Sequence, residues 1–171
     1  MDRRQKKTRE LIFNAFIKLL SKKHFNKITV GEIIENADVG RATFYAHFET
    51  KEFLLKELCK ELFCHIFDCH APSSVILHLL QHLQKNDNNV LDLLICENND
   101  LFLRYFKENL KELFTKNKNL FEIENVKDLP EDFLINHVSS TFVETVKWWI
   151  QSGMKETAET VASYFLTAIR F

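Results

Sequence analysis

Apolar positions along this chain recur at intervals of three and four residues and show almost no two-residue alternation, which predicts helices throughout and no sheet. Ile12, Ala15, Phe16, Leu19 and Leu20 share one face of a first helix from about Thr8 to Ser21. Val30, Ile33, Ile34 and Ala37 form the stripe of a short second helix, and Thr29 with Glu32 has the spacing of a capping box at its start. Asp38-Val39-Gly40 supplies a turn, with Gly40 able to cap a third short helix. A fourth helix starts near Lys51 behind Thr50 and runs to about Asp68, carrying Leu54, Leu55, Leu58, Leu62, Phe63 and Ile66.

Pro72-Ser73-Ser74 breaks the chain before a fifth helix, Val75 to Gln84. The polar run Lys85 to Asn89 separates it from a short helix, Val90 to Ile95. Asn99 or Asp100 caps the next, Leu101 to about Thr115, with Leu103, Phe106, Leu110 and Phe114 inward. Residues 116–130 are polar and irregular. Glu131 to Ser152 is a long helix closed by Gly153, and Thr157 caps the last, whose stripe is Val161, Ala162, Phe165, Leu166 and Ile169. The long helix carries two apolar rows, Leu134-Val138-Phe142-Val146-Trp149 and Ile135-Val143-Ile150, so it is expected to be covered on more than one side.

The segment Ala37 to Leu54 holds most of the chemistry. Its helix begins with small and polar residues, Gly40, Arg41, Ala42 and Thr43, and keeps Phe44 and Phe48 for the opposite side. Such a helix is shaped to enter a DNA major groove. Arg41 suits bidentate contact with guanine and equally suits a phosphate. Thr43 can offer its methyl to thymine or its hydroxyl to phosphate. Lys51 lies at the start of the fourth helix, where dipole and ammonium both favour a phosphate. Phe44 and Phe48 are expected to pin the third helix to the first and fourth.

These positions, in order and at fixed spacing, resemble the DNA-binding signature of the TetR family of bacterial transcription regulators. Thr8-Arg9, Ile12, Ala15, Phe16 and Leu19 resemble its first helix. Phe25, Ile28, Thr29, Val30 and Ile33-Ile34 resemble the approach to the second. Ala37, Val39, Thr43-Phe44-Tyr45, His47-Phe48, Lys51-Glu52 and Leu54 resemble the recognition helix and the start of the fourth. The resemblance covers roughly the first third of the chain. Gly31 and Gly40 depart from it, standing where the family more often has a helix former and a serine.

The resemblance implies an all-α fold of about nine helices. An N-terminal three-helix helix-turn-helix unit, residues 1–50, is followed by a C-terminal helical effector and dimerisation unit, residues 51–171. The DNA-contacting set becomes Thr29, Gly40, Arg41, Ala42, Thr43, Tyr45, His47 and Lys51, with Tyr45 and His47 resembling the family's backbone-contacting positions. The last two helices would pair with their copies in a homodimer, for which the stripes offer Phe142, Trp149, Phe165 and Ile169. Helices four to eight would enclose a small apolar ligand among Phe102, Tyr105, Phe106 and Trp148, oriented by His65, His78, His82 and Tyr105.

Charge agrees with this division. Residues 1–60 hold 13 Lys/Arg and 8 Asp/Glu, a net +5, and residues 61–171 hold 10 and 16, a net −6. Arg3, Arg4, Lys6, Lys7 and Arg9 form a basic arm, the expected footprint for phosphate contact. Sixteen Phe against three Gly and two Pro suit a helical core. No apolar run approaches the ~20 residues a membrane span needs, so no membrane partner is expected. The charged N-terminus is followed by no apolar signal region, and the four Cys form no CxxC pair; they read as reduced thiols of a cytoplasmic, nucleoid-associated bacterial protein.

His78 and His82, His65 and Cys69, and the repeated Cys-His dipeptides at 64–65 and 69–70 invite a metal reading. Five residues of helix rotate the chain by about 140°, so the two dipeptides do not share a face, and no metal or cofactor is expected. No Gly-rich phosphate loop or nucleophile elbow is present, and an enzyme is not expected. The sequence therefore reads as a homodimeric, ligand-responsive regulator of operator DNA, most simply a repressor. The alternative is a dimer of the same fold without a small-molecule pocket, controlled by a protein partner.

Overall fold

The computed structural model describes residues 3–67, 75–85, 92–95, 99–118 and 129–169, which hold nine α-helices and no strand. The first four are α1 (Arg3–Leu20), α2 (Val30–Ala37), α3 (Arg41–His47) and α4 (Lys51–Phe67), with a 3₁₀ turn at Phe25–Lys27. The remainder are α5 (Val75–Gln84), α6 (Asp92–Ile95), α7 (Asp100–Lys116), α8 (Glu131–Gln151) and α9 (Ala158–Ala168). The expected breaks at Pro72-Ser73-Ser74 and after Lys85, and most of the irregular stretch 116–130, lie outside the described residues.

Local chemistry accounts for most helix ends. Thr29 and Glu32 complete the capping box: the Glu32 amide donates to Thr29 Oγ1 at 3.2 Å, and the Thr29 amide donates to Glu32 Oε2 at 2.9 Å. Thr50 accepts from the Phe53 amide at 3.0 Å, and Thr157 accepts from Thr160 at 3.2 Å. Gly153, at φ 75°, closes α8, and the Met154 amide donates back to the Trp149 carbonyl at 2.9 Å. One cap differs from expectation. Asn99 precedes α7 but its side chain makes no capping bond; it is buried, and among the described residues neither of its amide atoms finds a hydrogen-bond partner.

The core is continuous from α1 to α9 and is built on aromatic rings. Phe63 meets Phe106 at 5.1 Å between centroids, and Phe102 meets Phe106 at 6.1 Å. Further along, Phe142 packs edge-on against Phe165 at 5.2 Å and against Phe114 at 5.7 Å. Such pairs contribute roughly 0.5–1.5 kcal/mol each beyond their burial. α4 packs on α5 and α7, and α8 packs on α6, α7 and α9.

That packing also takes in the expected dimer residues. Phe142, Trp149, Phe165 and Ile169 are all buried inside the protomer's own core. The Trp149 indole donates to the Glu156 carbonyl at 2.9 Å, within the α8–α9 corner. α6, α7 and α9 pack on α8, burying its first apolar row and Ile135 and Val143 of the second, with Ile150 partly buried. The expected effector set is also dispersed. Phe102 and Phe106 are close-packed rings of the core, whereas Trp148 is exposed on α8 and leans on Tyr164 of α9 at 6.3 Å. Tyr105, His78 and His82 are half-buried, and the side chain of His65 lies outside the described residues.

Candidate nucleic-acid interface

The recognition helix is presented by the residues on its hidden side. Phe44 and Phe48 are fully buried. The Phe48 ring meets Phe13 of α1 at 5.4 Å and Phe44 at 5.9 Å. With those two rings anchored, the opposite face is free: Arg41, Ala42, Thr43 and Tyr45 are exposed, and His47 is half-buried with its ring against Phe48.

The turn that sets the angle between α2 and α3 is made by Asp38, which takes the left-handed conformation at φ 51° and ψ 49°. Its amide donates to the Glu35 and Ile34 carbonyls, closing α2. Gly40 caps α3 in an extended conformation that any residue can adopt, and a Cβ there would meet Thr43 Oγ1 at an ordinary 3.6 Å. The conformational freedom of glycine is therefore not required at this turn, which explains why a departure from serine at position 40 leaves the motif intact.

Three of the expected DNA residues meet in one place. Thr29, Tyr45 and Lys51 line a recess of about 350 Å³, together with Asn26, Thr50 and Glu52. The N-termini of α2 and α4 both lie on it. Helix N-termini present free amides and positive dipole ends, the arrangement that receives phosphate oxygens.

Two cations are placed differently from the sequence expectation. The Lys51 ammonium donates to the carbonyls of Ile28 at 2.9 Å and Phe25 at 3.1 Å, reaches that of Asn26 at 3.5 Å, and lies over the Phe25 ring. Its three donors are thus directed at the backbone between α1 and α2, and Lys51 is a brace of the interface more than a free phosphate ligand. Arg9 is no arm residue. The basic segment forms the first turns of α1, with Arg3, Arg4, Lys6 and Lys7 exposed. The Arg9 guanidinium instead lies over the rings of Phe13 and Phe48 and pairs with Glu57 of α4. Sequence reasoning had no signal for either placement, because both depend on contacts more than twenty residues away.

The Glu32 carboxyl of the capping box also pairs with Lys23, which together with the Thr29 bonds lowers it from 4.5 to about 2. The start of α2 is thereby tied to the turn that follows α1. The buried Cys59 thiol is pushed up by burial and by Glu108, which makes it a packing group and not a nucleophile.

Comparison with known proteins matches this geometry. Residues 12–58 match the family described as bacterial regulatory proteins, tetR family, and residues 70–170 match a transcriptional regulator C-terminal region of the same family. A TetR transcriptional regulator from Streptococcus agalactiae 2603V is 37% identical, with 99% of this chain and 97% of that one covered and a TM-score of 0.73. The chain belongs to the TetR family. It is thus a helix-turn-helix, DNA-binding transcriptional regulator.

Among TetR relatives, the dhaKLM operon transcriptional activator DhaS of Lactococcus lactis is 29% identical over 83 residues, covering 46% of this chain and 44% of DhaS. The curated relatives are matched over 22% to 44% of their own lengths. The regulator FadR of Bacillus subtilis, in complex with stearoyl-CoA, shares the fold at 18% identity, with 94% of this chain and 96% of that one covered and a TM-score of 0.57.

Proposed function

We propose that this TetR-family chain binds operator DNA as a homodimer and acts as a repressor, released when a small molecule binds its C-terminal unit. The observation that carries the DNA reading is the exposed first turn of α3, Arg41 to Thr43, held out by the buried Phe44 and Phe48 beside the recess of Thr29, Tyr45 and Lys51. Arg41 and Thr43 would read base edges, and Tyr45, His47 and the exposed lysines of α1 would contact the backbone. Gly40 and Ala42 let the backbone of that turn come close to the groove. Two such heads are needed to read two half-sites about one helical turn apart.

The α8–α9 face supports the homodimer. Trp148 and Tyr164 lean on each other at a 60° tilt while remaining 47% and 51% exposed, and Phe133 on α8 is 53% exposed with its ring parallel to His137. Exposed aromatic side chains grouped on a surface suit the centre of a protein interface. Trp148 and Tyr164 therefore replace Phe165 and Trp149 as the proposed contact pair.

Selection of duplexes from a randomised pool, followed by footprinting, tests the reading. The expected result is a two-fold symmetric site protected in both half-sites, and a reporter fused to it that is repressed by this chain. An asymmetric single half-site would overturn the dimer, and reporter activation would assign the opposite sign, the one that the name of DhaS carries. A second reading, control by a protein partner, is supported by the close packing of Phe63, Phe102 and Phe106, rings that fill the space where a ligand was expected. It predicts that no small apolar compound raises the melting temperature.

A further inference from the structure

A cleft of about 350 Å³ opens between α7 and α8, at the small end of ligand-binding clefts, which run roughly 300–1,000 Å³. Leu103 and Val143 give it an apolar floor. Cations stand on both walls, Arg104 and Lys107 from α7 and Lys147 from α8, in the part of the chain that is otherwise net acidic. Two carboxylates, Asp100 and Glu144, lie at the cleft as well, and Glu144 is taken by Lys147 at 3.0 Å.

Arg104 and Lys107 have no carboxylate within ion-pair distance among the described residues. Arg104 lies beside the Tyr105 ring, its guanidinium carbon 5.6 Å from the centroid. Lys107 is half-buried, and its ammonium is held below its ordinary value by burial and by Lys111 one turn further on. A half-buried ammonium beside a like charge gains when an anion arrives, and a guanidinium with free donors can grip an oxyanion in bidentate fashion.

We infer that the α7–α8 cleft binds a small organic oxyanion, its charged head on Arg104 and Lys107 and its apolar body on Leu103 and Val143. Such a ligand differs in class from the apolar compound expected from sequence, and it occupies a different place from the packed rings of Phe63, Phe102 and Phe106. No cleft residue belongs to α1, α2 or α3, so substitutions in the cleft leave the DNA-contacting residues unaltered.

Calorimetric titration of the full chain with benzoate, phenyl phosphate and the neutral benzyl alcohol tests this. At least one anion is expected to bind while benzyl alcohol does not, and whichever binds decides between carboxylate and phosphate. Arg104→Gln and Lys107→Gln should each weaken that binding about tenfold, the loss of one charge-assisted contact. Glu112→Gln, on α7 outside the cleft, should leave it unchanged, and all three variants should bind the selected DNA as the parent does. Absence of heat with both anions, or equal binding by the parent and both cleft variants, overturns the assignment. Neither result touches the DNA reading, which the selected duplex tests independently.

Discussion

Arg9 on α1 and Glu57 on α4 meet at 3.4 Å, and the same guanidinium lies about 5 Å from the centres of the Phe13 and Phe48 rings. Both side chains are about four-fifths buried. Phe48 ends the recognition helix, so this single side chain touches the first helix, the third and the fourth. Arg9→Ala should cost about 1–3 kcal/mol through lost ring contact and the lost pair with Glu57, which keeps only Lys60 at 2.9 Å. Urea denaturation measures it; a midpoint equal to the parent's would show that the rings hold α3 unaided.

Lys51 should behave as a brace. Lys51→Ala removes the donor shared by the Phe25 and Ile28 carbonyls and is expected to lower stability by about 1–2 kcal/mol in the absence of DNA. A variant that melts like the parent and only loses DNA affinity would return Lys51 to the role of a phosphate ligand.

Glu32 makes the start of α2 sensitive to acid. Its carboxyl is lowered from 4.5 to about 2 in the folded chain, first by the Lys23 pair and then by the Thr29 bonds. The contribution is therefore complete above about pH 4.5 and fades as pH falls toward 2. Melting curves of the parent and Glu32→Gln should differ at pH 6 and converge near pH 2. A gap that stays constant over that range would remove the carboxylate as its cause.

Adjacent residues on α8 and α9 should separate assembly from folding. Trp148→Glu is expected to yield folded monomers, because Trp148 is half exposed and its ring leans on Tyr164 at the surface. Phe165→Glu should unfold the chain, since it buries a charge against Phe114 and Phe142. Sedimentation with circular dichroism reads both; an intact dimer for Trp148→Glu would move the interface elsewhere.

Arg41 decides specificity if it reads a base. Arg41→Ala should then relax preference at one position per half-site by roughly 1–3 kcal/mol. Uniform weakening across a randomised operator library would assign it to the phosphate backbone.

Much of this protein was legible in its sequence because it rests on contacts within one or two helical turns. The Thr29–Glu32 box, the Thr50 and Thr157 caps, the Gly153 stop and the outward face of Arg41 to Thr43 all follow from neighbours three or four residues apart. The all-helical fold and the inward turn of Phe44 and Phe48 follow from the same periodicity. Tertiary structure decided what periodicity leaves open. An apolar row records that a face is covered but not by which chain, so Phe142 and Phe165 read equally as interface or core, and in the fold they pack on each other and on Phe114 of α7. Trp148 and Trp149 are neighbours of the same type, yet one is exposed and the other fully buried, because about 100° of helix rotation separates them across the edge of the core. Arg9 and Lys51 turn inward for a related reason. A long cationic side chain goes wherever distant carbonyls, carboxylates and rings assemble around its head, and only the folded chain brings those groups together.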